Sequence, residues 1–113
     1  MADCLFCKIA NHEIDSLVLY EDDEVLAFRD IDPKAPTHIL VIPKKHVDSA
    51  ALLSEADGPL LGRIFSVIAK LAEDEKLEKG WRVVANVGEE GGQTVGHLHF
   101  HLLGGRQMYW PPG

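Results

Sequence analysis

The segment His97-Leu98-His99-Phe100-His101-Leu102-Leu103 alternates imidazole and apolar side chains near the end of a 113-residue chain. Side chains two residues apart point to the same face of a β-strand, so the pattern predicts a strand that carries the three histidines in one row. The intervening apolar side chains then point into the core, and the imidazoles line a surface. Serine, threonine or lysine would serve a merely solvated face equally well, so we interpret the row as a chemical site.

Two kinds of chemistry fit a row of imidazoles. Neutral histidines can ligate Zn²⁺ and leave one position open for water, as in metal hydrolases. Alternatively, one imidazole acts as a nucleophile while its neighbours orient it. The stretch 88–96 before the strand is rich in glycine and contains Gln93 and Thr94. Such a loop lets backbone N–H groups and a hydroxyl converge on a phosphate, which favours the nucleophile.

Short apolar segments separated by turn signals predict further strands elsewhere in the chain. Including the histidine segment, the expected strands cover residues 17–20, 25–28, 38–42, 81–87 and 97–103. Apolar residues at spacings of three and four predict one long helix from about Pro59 to about Glu75. Few strand-helix-strand alternations are available, so we expect an α+β fold with an antiparallel sheet and one helix on a face. The length favours a single domain over residues 1–113.

The formal net charge of −7 disfavours direct binding to the phosphate backbones of nucleic acids. No apolar stretch is long enough to cross a bilayer, and the first residues lack the basic region of a secretory signal. We therefore expect a cytoplasmic protein that takes a small ligand and has no membrane partner.

Two cysteines, Cys4 and Cys7, stand in a Cys-x-x-Cys arrangement. In a reducing compartment such a pair is typical of a metal half-site or a redox motif. A thioredoxin-like motif is the less favoured of the two, because no strand precedes the pair and no clear helix signature follows it.

The segment Gly92-Gln93-Thr94-Val95-Gly96, the histidine strand and the Gly104-Gly105-Arg106 that follows it resemble the signature of the histidine-triad (HIT) superfamily. The tail over residues 104–113 is similar to the C-terminus of its Hint branch. Further likeness lies in the segments around 21–23, 28–31, 35–38, 41–46 and Asn86. The resemblance implies the HIT fold, a five-stranded antiparallel sheet with one long helix packed on it. It also implies a homodimer formed through the helix and a strand, with docking of the C-terminal tail.

Members of the Hint branch hydrolyse purine nucleoside 5'-phosphoramidates, releasing a nucleoside monophosphate and an amine. By this resemblance His99 attacks the α-phosphorus and forms a nucleotidyl-histidine, which water then cleaves, with no cofactor in the chemistry. His101 holds the α-phosphate, and His97 and His38 complete the catalytic network. The residues that the resemblance places around the nucleotide are Leu5, Phe6, Phe28, Asp30, Ile31, Asn86, Gln93, Thr94, Val95 and Trp110.

The cysteine pair is similar to that of a mostly bacterial, zinc-carrying subset of the branch. In that subset the metal ligands correspond to Cys4, Cys7, His46 and His97. Two thiolates and two imidazoles form a closed tetrahedral site, which is typical of structural zinc. Binding of zinc through His97 would compete with any donation from its ring to the catalytic network.

The sequence leaves two alternative functions open. One is a dinucleoside polyphosphate hydrolase, which the Gly104-Gly105-Arg106 tail disfavours. The other is a nucleotide-binding adaptor that acts through protein contacts, although the nucleophile His99 and its neighbouring donors are all present.

Overall fold

The computed structural model describes residues 4–113, in which five strands form one antiparallel sheet. Their order across the sheet is β1-β2-β3-β5-β4, which confirms the expected α+β architecture. The strands are β1 (Val18–Glu21), β2 (Val25–Arg29), β3 (Thr37–Pro43), β4 (Trp81–Val84) and β5 (Phe100–Gly104). The helices are α1 (Leu5–Ala10) and α2 (Gly58–Asp74), with single 3₁₀ turns at Ala50–Leu52 and Glu55–Asp57.

The acidic turn between β1 and β2 is organised by Asp22. Its carboxylate accepts hydrogen bonds from the backbone N–H groups of Glu24 and Val25, at 2.8 and 2.9 Å, and from the Tyr20 hydroxyl. These bonds close the chain reversal and lower the pKa of the Asp22 carboxyl, against the opposing effect of burial. The expected hairpin is therefore confirmed.

The long helix α2 lies within one residue of the expected range at each end. Pro59 occupies its first turn, where the missing N–H costs no helical hydrogen bond. Its buried stripe packs on one face of the sheet and consists of Ile64, Val67, Ile68, Leu71 and Ala72. The sheet residues in the same core include Val25, Ala27, Ile39, Val41, Leu98, Phe100 and Leu102. No helix within residues 4–113 is both long and apolar enough to span a membrane.

The opposite face of the sheet is partly covered by α1, a helix that the sequence did not predict. Phe6, Ile9 and Ala10 of this helix pack against alternate residues of β2 and β3. Those residues are Leu26, Phe28, Leu40 and Ile42. The sulfur of Cys4 accepts a hydrogen bond from the Cys7 N–H and so caps the helix. Six residues are too few to show an amphipathic period, which explains why sequence patterning missed the element.

Two strand boundaries were predicted wrongly. Strand β4 ends at Val84 instead of residue 87, and β5 begins at Phe100, so His97 and His99 precede the strand. Pairing with β3 and β4 ends at the Val41–Phe100 and Val84–His101 pairs; β4 ends there, whereas β3 continues to Pro43 and pairs in that stretch with β2. The preceding segment is held by the Leu98 N–H, which donates to the Val47 carbonyl at 2.6 Å. Alternation of inward and outward side chains still continues through it.

An ion pair joins β2 to the end of α2. The Arg29 guanidinium donates two hydrogen bonds to the two carboxylate oxygens of Glu75, at 2.8 and 2.9 Å. The Thr37 hydroxyl donates a third bond to Glu75 at 3.3 Å. The paired guanidinium is the main cause that lowers the pKa of the Glu75 carboxyl. The contact fixes the helix terminus against the sheet.

Glu75→Gln is expected to lower the free energy of unfolding by about 1–2 kcal/mol at neutral pH, because the charge-assisted bonds to Arg29 are lost. Since the folded-state pKa is depressed, the stabilisation is complete above the ordinary value of 4.5 and disappears as the pH falls through the folded value. Chemical denaturation of both proteins across this pH range measures the difference. Glu73→Gln changes an exposed carboxylate near the same helix end and is the control. Equal losses in the two variants would contradict the assignment.

Candidate active site and metal centre

The three alternating histidines lie on the α1 side of the sheet, opposite α2. His97 is fully buried, His99 is 5% exposed and His101 is half-buried. The rings of His99 and His101 are neighbours, with centroids 4.9 Å apart. The row is therefore real, but its first two rings are largely enclosed where the sequence predicted a surface. Phe6 of α1 causes this enclosure, since its ring lies edge-on to both His97 and His99.

His101 and the more distant His38 form a directed hydrogen-bond chain. The Lys34 backbone N–H donates to Nδ1 of His38 at 3.0 Å, so the proton of this imidazole resides on Nε2. That Nε2–H donates to Nδ1 of His101 at 2.9 Å. The proton of His101 must then reside on its own Nε2. One carboxylate oxygen of Asp30 lies 3.5 Å from His38 Nε2.

Burial keeps these two imidazoles neutral. It is the main cause that lowers the pKa of His101 to about 4, and the neighbouring His99 and His38 lower it further. Burial also lowers the pKa of His38, although the Asp30 carboxylate opposes the effect. At neutral pH, His101 therefore presents a neutral Nε2–H donor.

His99 has the opposite tautomer. Its Nδ1–H donates to the backbone carbonyl of His97 at 2.7 Å, so Nε2 carries the lone pair. Within residues 4–113, no fully buried side-chain nitrogen or oxygen lacks a hydrogen-bond partner. Nε2 of His99 has no such partner in this part of the chain and therefore retains access to solvent. An accessible imidazole lone pair is a suitable nucleophile.

A second cluster brings together Cys4, Cys7, His46 and His97, whose possible ligand atoms all lie within 4.8 Å of one another. Nδ1 of His97 lies 3.3 and 3.5 Å from the two sulfurs, and Nδ1 of His46 lies 3.2 Å from Cys7 Sγ. Bond lengths of about 2.3 Å to sulfur and about 2.0 Å to nitrogen separate neighbouring ligands of tetrahedral zinc by about 3.5 Å. The donor set and its spacing fit one such ion.

Hydrogen bonds outside the cluster orient both imidazoles for ligation. His46 Nε2–H donates to the Asp48 carboxylate at 2.7 Å, and His97 Nε2–H donates to the Pro43 carbonyl at 2.8 Å. Both Nδ1 lone pairs consequently face the sulfurs, as the ligands of a metal must. Burial is the main cause that raises the pKa of the Cys7 thiol to about 11, so a bound cation would be needed to stabilise its thiolate.

The expected conflict over His97 does not arise in this geometry. Both nitrogens of the His97 ring are directed away from His99, one toward the sulfurs and one toward Pro43. The group that His97 offers to the catalytic side is its backbone carbonyl. A single residue can thus serve both clusters.

The residues of the glycine-rich loop that were predicted to bind phosphate lie in different environments. Thr94 is exposed beside a groove of about 740 Å³, and no described residue accepts a hydrogen bond from the Val95 N–H. The Gln93 amide is occupied: it donates to the Asp48 and Val95 carbonyls and accepts from the Gly88 N–H. Gln93 therefore holds the loop together.

Asn86 and Gly91 also serve the shape of this loop. The Asn86 amide donates to the Gly91 carbonyl at 2.7 Å. A Cβ atom on Gly91 would collide with the Val87 carbonyl, so the loop requires glycine at this position. The composition that suggested phosphate binding is thus partly explained by folding of the loop.

The residues predicted to surround the base differ in how deeply they are buried. Phe6 and Phe28 are buried with their rings 5.6 Å apart, whereas Leu5 is 44% and Ile31 is 97% exposed. One oxygen of Asp30 accepts from the Asp32 N–H at 2.8 Å and caps a turn. Its other oxygen lies on the His38 side, so the residue can still reach a ligand.

The C-terminal tail is only partly attached to its own chain. Arg106 donates to the Lys34 carbonyl, and Arg82 donates to the Tyr109 carbonyl. Trp110, predicted to contact the nucleotide, is 82% exposed. Docking of the tail on a partner and the homodimer stay predictions.

These features define the class of the protein, an α+β fold whose sheet carries a row of oriented imidazoles. Residues 11–108 match the family model described as the HIT domain, and the chain belongs to this family. The chain is similar to a HIT family hydrolase from Legionella pneumophila Philadelphia 1, with 55% identity and a TM-score of 0.96. That match covers 98% of this chain and 100% of the other. These values confirm the HIT fold and a hydrolase-like protein.

Two further relatives bear on the two clusters. A 14 kDa zinc-binding protein from Zea mays is 53% identical over 111 residues, covering 96% of this chain and 87% of that protein. A histidine triad nucleotide-binding protein from Candida albicans is 34% identical with a TM-score of 0.83, covering 96% of this chain and 83% of the other.

Sequence reasoning missed several groups that orient the site. The Lys34 N–H and the Pro43 carbonyl are backbone groups, which no residue pattern reveals. Asp48 carried a weak signal, because it is a carboxylate two residues beyond a candidate ligand, His46. Helix α1 carried none beyond the cysteine spacing.

We expect the cluster of Cys4, Cys7, His46 and His97 to bind one zinc ion per chain. Native mass spectrometry of protein purified without chelators measures this. Cys7→Ser is expected to lose the ion, because a closed tetrahedral site needs all four ligands. Asp48→Asn keeps the ligands but weakens the acceptor for His46, so zinc affinity should fall about tenfold or more in a chelator competition. His12→Gln changes an exposed histidine outside the cluster and should retain the ion. Zinc retention by Cys7→Ser equal to the wild type would contradict the assignment.

Proposed function

We propose that this protein hydrolyses purine nucleoside 5'-phosphoramidates through a nucleotidyl intermediate on His99. The observation that carries the proposal is the fixed tautomer of this residue, whose Nε2 lone pair is free and accessible while Nδ1–H is held by the His97 carbonyl. Membership of the HIT family and similarity to a HIT family hydrolase support the reaction type. The name of the Candida albicans relative supports a nucleotide ligand.

The first step forms one bond and breaks one. His99 Nε2 attacks the α-phosphorus, the phosphorus–nitrogen bond to the amine breaks, and the amine leaves with a proton from solvent. A nucleotide then remains linked to the imidazole. An imidazole suits this step, since it is nucleophilic at neutral pH and is itself a good leaving group.

The second step restores the enzyme. Water attacks the same phosphorus and gives up a proton to solvent, the bond to His99 breaks, and a nucleoside monophosphate is released. Donation from Nδ1–H to the His97 carbonyl persists through both steps and stabilises the positive charge that develops on the ring. This is the function that a carboxylate performs for the histidine of a serine protease.

Donors around the phosphate stabilise its developing negative charge. His101 offers its Nε2–H, and the Val95 N–H and the Thr94 hydroxyl extend this set. The orientation of the His101 donor is fixed before the substrate arrives, which is the condition for strong electrostatic stabilisation. The His38–His101 bond and the Lys34 N–H behind it maintain the His101 donor.

The nucleoside would bind beside this row. Asp30 can accept hydrogen bonds from ribose hydroxyls, while Phe28, Leu5 and Ile31 offer apolar contact to the purine. Cys4, Cys7, His46 and His97 would hold zinc as a structural ion, placing this chain in the zinc-carrying subset of the Hint branch. The name of the Zea mays relative supports this assignment. We further propose a homodimer in which the exposed Trp110 contacts the partner.

His99→Ala is expected to lower turnover of an adenosine phosphoramidate by at least about 10³-fold, since no second imidazole occupies its position. Rapid-quench mass spectrometry of the wild type should detect a nucleotide covalently attached to the His99 peptide. Wild-type turnover by His99→Ala would disprove the mechanism. Binding of nucleotide without turnover in the wild type would favour the adaptor, and preference for dinucleoside polyphosphates would favour the other hydrolase.

His38→Phe keeps a ring of similar size but removes the donor to His101. We expect kcat to fall about 10- to 100-fold because His101 can then rotate its proton away from the phosphate, whereas KM changes little. Steady-state kinetics measure this split, and circular dichroism checks the fold. His12→Gln, at an exposed histidine, is the control and should match the wild type. Unchanged kcat in a folded His38→Phe protein would remove His38 from the network.

A further inference from the structure

His99 lies outside the regular sheet, so its position depends on side-chain contacts. Strand β5 begins at Phe100, and the pairs formed with the neighbouring strands start at Phe100 and His101. Three contacts surround the His99 ring: the His97 carbonyl at 2.7 Å, the His101 ring at 4.9 Å and the Phe6 ring at 5.0 Å. His99 is therefore positioned by these three contacts more than by backbone hydrogen bonds to a neighbouring strand.

One of these three contacts comes from the cluster of Cys4, Cys7, His46 and His97, and a second comes from Phe6, which lies between its two cysteines. The carbonyl belongs to His97, whose ring is fixed by the cluster on one side and by Pro43 on the other. Phe6 stands between Cys4 and Cys7 on α1, and its ring is perpendicular to that of His99 with an interplanar angle of 86°. The cluster and the nucleophile thus share structural parts.

Helix α1 depends on contacts with the rest of the protein for its stability. It is six residues long, too short to be stable in isolation. Its apolar contacts to the sheet involve Phe6, Ile9 and Ala10, and its sulfurs contact His46 and His97. Ligation of one ion by both sulfurs would fix the helix, and with it the Phe6 ring, against the histidine row.

We propose that the cluster of Cys4, Cys7, His46 and His97, when it binds its metal, positions His99 through the Phe6 ring and the His97 carbonyl. The inference rests on the proposed function, and it makes Phe6 a positioning residue instead of a wall of the base pocket. The metal performs no step of the reaction. Its presence determines the fraction of protein molecules in which Nε2 of His99 is directed at the substrate.

The first test separates positioning from stability. Phe6→Leu keeps an apolar side chain between the cysteines but removes the perpendicular ring, and it should retain zinc. We expect kcat to fall about tenfold with KM within about twofold of the wild type. Ile9→Ala removes buried apolar volume from the same helix but carries no ring to the histidines. It should lower the melting temperature and leave kcat unchanged.

The second test reads the His99 tautomer directly and needs no substrate. In protein labelled with ¹⁵N at histidine and held at about pH 8, where imidazoles are neutral, zinc-loaded wild type should show His99 protonated at Nδ1. Removal of zinc by a chelator should shift both His99 nitrogens toward a mixture of tautomers. Zinc-loaded Phe6→Leu should show part of the same shift.

The outcomes distinguish this inference from the proposed function. Wild-type kcat and an unchanged His99 spectrum in zinc-loaded Phe6→Leu would overturn the positioning assignment, even if zinc removal unfolds the protein. An unchanged spectrum in folded, zinc-free wild type would overturn the contribution of the metal. If the wild type forms no nucleotidyl-histidine, the proposed function fails, yet the spectra still decide whether the cluster orients His99.

Discussion

The site depends on backbone groups that fix which nitrogen of each imidazole carries the proton. The Lys34 N–H leaves His38 a donor, and His38 in turn makes His101 a donor through its outer nitrogen. The His97 carbonyl accepts the Nδ1–H of His99, so the outer nitrogen of His99, Nε2, carries a lone pair. Adjacent rings of identical chemistry thereby acquire opposite tautomers, and their outer nitrogens offer a lone pair on His99 and an N–H donor on His101.

The fold accommodates this arrangement because the two faces of the sheet are covered to different extents. Helix α2 supplies a continuous apolar core on one face. The other face carries the histidines, and the short α1 shields part of it. Burial on that side lowers the pKa of His101 and His38 and keeps both rings neutral. Partial enclosure therefore serves the chemistry as well as stability.

Much of the architecture was accessible from the sequence because it follows from local periodicity. The α2 stripe and the acidic β1–β2 turn were predicted closely, while the HIT family was identified from the resemblance of the histidine segment and its flanks. The family resemblance implied a metal site at Cys4, Cys7, His46 and His97, and the structure brings their possible ligand atoms within 4.8 Å of one another. Errors occurred where periodicity has no signal: α1 is too short, and the ladder that defines β5 starts only at Phe100, which depends on pairing with β3 and β4.

The sequence by itself determined which chemical groups are available, namely alternating imidazoles, two thiols and a glycine-rich loop. Only the tertiary structure decided what each group does. It turned the His97 ring toward the cysteines, committed Gln93 to the loop and placed the Phe6 ring against His99. The physical reason is that tautomers and ring orientations depend on backbone donors and acceptors from distant segments. Residue identities along the chain do not encode where those groups meet.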